Sequence, residues 1–184
     1  IVRMVGDGSL NQLIVTFGVG MRISELTLSP DGSLLAFIGP GNGSAREVFV
    51  TNLTGTYLQQ VSCLGFAEVH SPSWSPDSAS LAFIGAQAEG QPANIYRANI
   101  AGSGNCPVDN NQQQLTALDS LRLADVAWHP DGERIFFSNE VIYALELATG
   151  NILGPYTETL GYGEDFFLTS NPVDSTQMIY LRPN

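Results

Sequence analysis

The sequence predicts an all-β chain of repeated four-stranded antiparallel sheets, with essentially no helix. Three observations carry that expectation. A Pro-Asp-Gly type of turn recurs along the chain. Its prolines lie 46, 54 and 42 residues apart. Short apolar strands flank each copy. A period of about 40–50 residues built from short strands is that of β-propeller blades.

The turns come first. Leu28-Ser29-Pro30-Asp31-Gly32, Trp74-Ser75-Pro76-Asp77-Ser78 and Trp128-His129-Pro130-Asp131-Gly132 align directly, and Asn171-Pro172-Val173-Asp174 is a weaker fourth copy. Pro fixes φ at the first central position, Asp bonds back to nearby backbone, and Gly takes the left-handed position. The turn thus joins the two inner strands of a blade. The strand after it is apolar on both faces, as in Leu34-Leu35-Ala36-Phe37-Ile38 and Leu81-Ala82-Phe83-Ile84. That pattern suits a strand held between two neighbouring sheets.

A second hairpin follows in each repeat. Glu47 to Leu53 turns through Gly55 into Tyr57 to Val61. Asn94 to Ile100 leads through Gly102 to Gln113 to Thr116, and Val141 to Leu147 turns through Gly150 into Ile152-Leu153. The last strand is the more polar, as expected of a solvated blade edge. The chain opens with the outer half of a blade over residues 1–17. Complete blades follow at 23–62, 69–117 and 123–158, and the inner half of another lies at 164–182. The reading is about four blades in one propeller domain or propeller segment. Two arrangements stay open: a monomer closed by its complementary halves, or an arc of a larger ring that further sequence or a second copy completes.

Composition narrows the partners. The chain has 184 residues, 18 acidic against 7 basic, every basic residue an Arg, for a net charge of −11. Such a surface repels phosphate backbones, so nucleic acid is not expected as a partner. No run of about 18 apolar residues occurs, so membrane insertion is not expected either. Cys63 and Cys106 lack the short-spaced pairing of a zinc site, and their bridging is left open.

The repeat resembles that of the TolB-like propeller family, which reads roughly Trp-Ser-Pro-Asp-Gly, Ile-Ala-Phe, Ile-Tyr, Gln-Leu-Thr. Trp74-Ser75-Pro76-Asp77, Leu81-Ala82-Phe83, Ile95-Tyr96 and Gln114-Leu115-Thr116 carry the likeness, which covers almost the whole chain. No Gly-His…Trp-Asp signature of WD repeats is present. The resemblance implies an extracytoplasmic protein that binds protein or peptide partners around a central tunnel. Similar blades also cover the active site of prolyl oligopeptidase-like enzymes, whose catalytic domain is separate.

No nucleophile elbow, His-Glu-x-x-His helix or phosphate loop occurs, so no catalytic residue and no cofactor are expected. His129 stands where the other turns carry Ser and reads as structural. Trp74 and Trp128 hold equivalent places and read as packing residues. The turn aspartates Asp31, Asp77, Asp131 and Asp174 sit on separate blades without a calcium-loop spacing, so they read as turn formers. One constellation has a functional reading. Counting back from each turn proline to the start of the innermost strand reaches Glu25, His70 and Asp125, with Asp165 just beyond the fourth. These four are expected to ring one tunnel opening, where carboxylates would hold a cation or a basic peptide end.

Overall fold

The computed structural model describes residues 1–4, 6, 11–16, 22–41, 45–100, 106, 111–119, 122–157, 166–170 and 176–181. Every regular element in it is a strand. A terminal hairpin, β1 (Val2–Met4) and β2 (Asn11–Leu13), opens the chain. Blade 1 is β3 (Ser24–Leu28), β4 (Leu34–Pro40), β5 (Arg46–Asn52) and β6 (Leu58–Gln60). Blade 2 is β7 (Glu68–Trp74), β8 (Ser80–Ala86), β9 (Asn94–Asn99) and β10 (Gln113–Gln114). Blade 3 is β11 (Asp125–Trp128), β12 (Arg134–Asn139), β13 (Val141–Glu146) and β14 (Ile152–Leu153). A second terminal hairpin, β15 (Phe166–Ser170) and β16 (Met178–Leu181), ends it.

Each blade is an antiparallel meander in strand order, and the innermost strands β3, β7, β11 and β15 pack side by side in sequence. The turns form as their chemistry dictates. Gly32 N–H donates to Ser29 O at 2.8 Å and Gly132 N–H to His129 O at 3.0 Å, with φ of 73° and 76° at the two glycines. The Asp31 carboxylate accepts from Ser29 Oγ at 2.6 Å and from Ser33 N–H at 3.0 Å, and these bonds lower its pKa to about 2. In blade 3 His129 Nδ1 lies 2.9 Å from Asp131 Oδ2, and its ring packs on Phe136 at 5.4 Å.

The core is a series of layers between blades. Blade 1 gives Ala36, Ile38, Val48 and Val50 to the layer it shares with Trp74, Phe83 and Tyr96 of blade 2. Blade 2 gives Ala82, Ile84 and Ile95 to the layer it shares with Trp128, Phe137 and Tyr143 of blade 3. A stacked ring pair joins the second and third strands in every blade: Phe37–Phe49, Phe83–Tyr96 and Phe137–Tyr143, with centroids 5.5–5.9 Å apart. A hydroxyl extends the ladder where each fourth strand ends. Val48 N–H donates to Ser62 Oγ, Ile95 N–H to Thr116 Oγ1 and Ile142 N–H to Thr157 Oγ1, at 2.8–3.0 Å.

Cys63 and Cys106 form a disulfide with Cα atoms 5.5 Å apart, tying the end of blade 1 to the insert between β9 and β10. The two terminal hairpins lie in separate two-stranded sheets, so the described residues form an arc and not the self-closed ring that strand complementarity allowed. No helix of the described residues is long and apolar enough to cross a membrane.

Candidate functional site

The starts of the innermost strands carry the residues singled out in the sequence. Their backbone is unusual. Glu25 has φ of 55° and Ser71 has φ of 54°, in the left-handed region that costs non-glycine residues about 1–2 kcal/mol. Both sit where the pairing register shifts, between Ser24 and Thr27 in blade 1 and between His70 and Ser73 in blade 2. A third shift falls between Phe166 and Thr169. Each is a β-bulge, one extra residue that bends the strand and re-aims its side chains.

Blade 3 has no such shift, and Asp125 pairs in regular register with Ser138. Counting back from the proline therefore misaligns it by one. Asp125 takes the place of His70, which pairs with Ile84, and not that of Ser71. A bulge leaves no mark in a sequence pattern that is apolar or small on both sides of it.

The bulges join neighbouring blades. The Glu25 carboxylate crosses to blade 2 and accepts the Ser71 N–H at 2.5 Å. His70 Nδ1 lies 3.1 Å from Ser71 Oγ. Burial pushes the His70 pKa below its ordinary 6.5, against the pull of Glu25, Glu68 and Asp125, which are close enough to raise it. Glu25, His70 and Asp125 thus share one electrostatic neighbourhood across three consecutive blades. Glu68 is a fourth member that the sequence reading missed. It is the first residue of β7, two residues before His70, and strand alternation would have found it. Asp165 lies outside the described residues, as do Pro172 and Asp174.

The site's chemistry is electrostatic. Exposed carboxylates of Glu25 and Glu68 border a partly buried imidazole, an arrangement that attracts cations and excludes anions. Among the described residues, no three His, Cys, Asp or Glu side chains are placed to hold a metal ion.

No family model matches the sequence, and no curated protein matches it. Solved structures do. TolB from Acinetobacter baumannii superposes with a TM-score of 0.75 at 15% identity, covering 99% of this chain and 43% of its own. A TolB described from Agrobacterium tumefaciens gives 0.72 at 21%, covering 94% of this chain and 59% of its own. A puromycin hydrolase gives 0.59 at 16%, covering 80% of this chain and 25% of its own. This chain therefore spans about half the length of the two TolB structures.

Proposed function

The chain is a TolB-like β-propeller in fold, and on that premise we propose that it is a non-catalytic scaffold binding a protein or peptide partner at the starts of its innermost strands. The observation that carries this reading is the grouping of Glu25, His70 and Asp125 on three successive blades. Asp165, just before β15, is proposed as a further member. The partner group is cationic: an Arg or Lys side chain, or a free amino terminus. A net charge of −11 adds long-range attraction for it. The Cys63–Cys106 bridge supports an extracytoplasmic site of action, since disulfides persist in oxidising compartments.

A second reading is that these blades are the propeller portion of a larger peptidase-like or sensor protein. Its support is the likeness to the puromycin hydrolase, of which this chain covers only 25%. A third, a lyase or hydrolase with a tunnel metal, finds no three-ligand cluster among the described residues.

The test is fluorescence anisotropy of a labelled oligo-lysine peptide. The Glu25→Gln/Asp125→Asn double variant is expected to weaken binding about tenfold, about 1.4 kcal/mol. Glu133→Gln/Glu146→Gln, which removes the same charge from the turn ends of blade 3, leaves binding within about twofold. Equal losses from both pairs would falsify the site and leave only a diffuse acidic surface. Binding is also expected to fall on acidification below pH 6.5. Protonating His70 then places a positive charge among Glu25, Glu68 and Asp125. His70→Asn removes that dependence.

A further inference from the structure

The outer edge of blade 1 is closed by a residue that belongs to blade 2. Just past β6, Val61 N–H donates inward to Val48 O at 2.8 Å, so Gln60, one residue earlier, turns its backbone groups away from β5. Cys106 N–H donates to the outward Gln60 O at 3.1 Å. That is the bond an added fifth strand makes on a free sheet edge. Among the described residues, no other blade has its fourth strand bonded in this way by the backbone of its neighbour.

Little besides the disulfide holds Cys106 there. Cys63, its partner, donates its N–H to Gln112 Oε1 at 2.8 Å. The other local features work against the contact. Cys106 has φ of 51° and Asn111 has φ of 45°, in the left-handed region that side chains rarely adopt. Gln112 Nε2 is buried without a hydrogen-bond partner, so its desolvation is not offset. Cys106 and Asn111 are exposed, and neither they nor Gln112 belong to a hydrophobic cluster. Two hydrogen bonds thus stand against two strained backbones and one orphaned amide, and the covalent bond decides the balance.

We propose that the Cys63–Cys106 disulfide is a redox latch on the outer edge of blade 1. Closed, it seats Cys106 on β6 as an edge rung. Reduced by a dithiol, it lets Cys106 leave and opens that edge. The contact is autoinhibitory, since Cys106 takes the rung that an added strand from another chain needs.

The chemistry is thiol–disulfide exchange. Cys106 is exposed and Cys63 is half-buried, so the Cys106 sulfur takes the attack. A thiolate of the reductant bonds to Cys106 Sγ, the S–S bond breaks, and Cys63 leaves as a thiolate and takes up a proton. The Cys63 sulfur lies 3.2 Å from Val61 O, so the freed thiol has an acceptor in place. The second thiol of the reductant then displaces Cys106, which is protonated in turn. Two electrons pass to the protein, and the dithiol ends as its own disulfide.

The test is reduction of the native chain with dithiothreitol, read by thiol alkylation and by amide hydrogen exchange. Reduction is expected without denaturant, at a rate that urea below the unfolding transition leaves unchanged. In the reduced protein the Cys63 and Cys106 amides are expected to exchange about tenfold faster or more, since each loses its acceptor. The Val48 and Ile95 amides, bonded to Ser62 and Thr116 inside blades 1 and 2, stay slow. Reoxidation restores the first pattern, and Cys106→Ser shows fast exchange at Cys63 with no reductant present. A disulfide that opens only on global unfolding, an exchange pattern that reduction leaves unchanged, or an equal loss of protection at Val48 each overturn the proposal.

Discussion

Ser78 holds φ of 60° at the turn position where Gly32 and Gly132 stand in the neighbouring blades. A side chain in this region costs about 1 kcal/mol or more over glycine. Ser78 recovers part of it by accepting the Asp31 N–H at 3.1 Å across the blade boundary. Ser78→Gly is expected to stabilise the protein by about 0.5–1 kcal/mol, raising Tm by about 1–4 °C in calorimetry. A lower Tm would show that the inter-blade bond outweighs the strain. The turns were legible because their chemistry is local: Pro, Asp and Gly act within four residues. Glu25 and Ser71 were not, since their left-handed backbone serves a bulge fixed by the neighbouring strand.

At the scale of the element, the fourth strand is short in every blade and is lengthened by a hydroxyl. Ser62 illustrates the stakes. It receives the Val48 N–H and donates to the Glu47 carboxylate, both buried. Burial raises the Glu47 pKa and the Ser62 hydrogen bond pulls it back. Ser62→Ala leaves a buried N–H and a buried carboxylate without this partner and is expected to cost about 1–3 kcal/mol in urea unfolding. The raised pKa means that Glu47's contribution favours the fold at low pH and is lost as pH rises through its folded value. The penalty of Ser62→Ala is therefore expected to be smaller near pH 4 than at pH 7. An unchanged midpoint at pH 7 would mean that water replaces the hydroxyl. The strands themselves followed from the apolar runs around each turn. The hydroxyl rung did not, because Ser62, Thr116 and Thr157 align only once the register of each blade is known.

At the scale of the whole molecule, the disulfide crosses from blade 1 to the insert of blade 2 over a separation of 43 residues. Loop entropy for that span amounts to about 4 kcal/mol. Melting with and without reductant is expected to show a clear fall in Tm, matched by Cys63→Ala/Cys106→Ala. An unchanged Tm would place the loss in the insert alone and leave the blades untouched. The cysteines gave no sign of pairing in sequence because they hold unlike positions in their repeats. The arc was legible as a strand count, since the half blades were read at both ends. The separation of those halves was not, because no residue within a blade states how many neighbours complete the circle. Among the described residues each inner strand packs against the inner strand of the next blade. Such a chain can gain or lose a whole repeat by duplication or deletion without disturbing the packing of the others. Ring size is then inherited as a count, and selection on it acts only where the first and last blades meet.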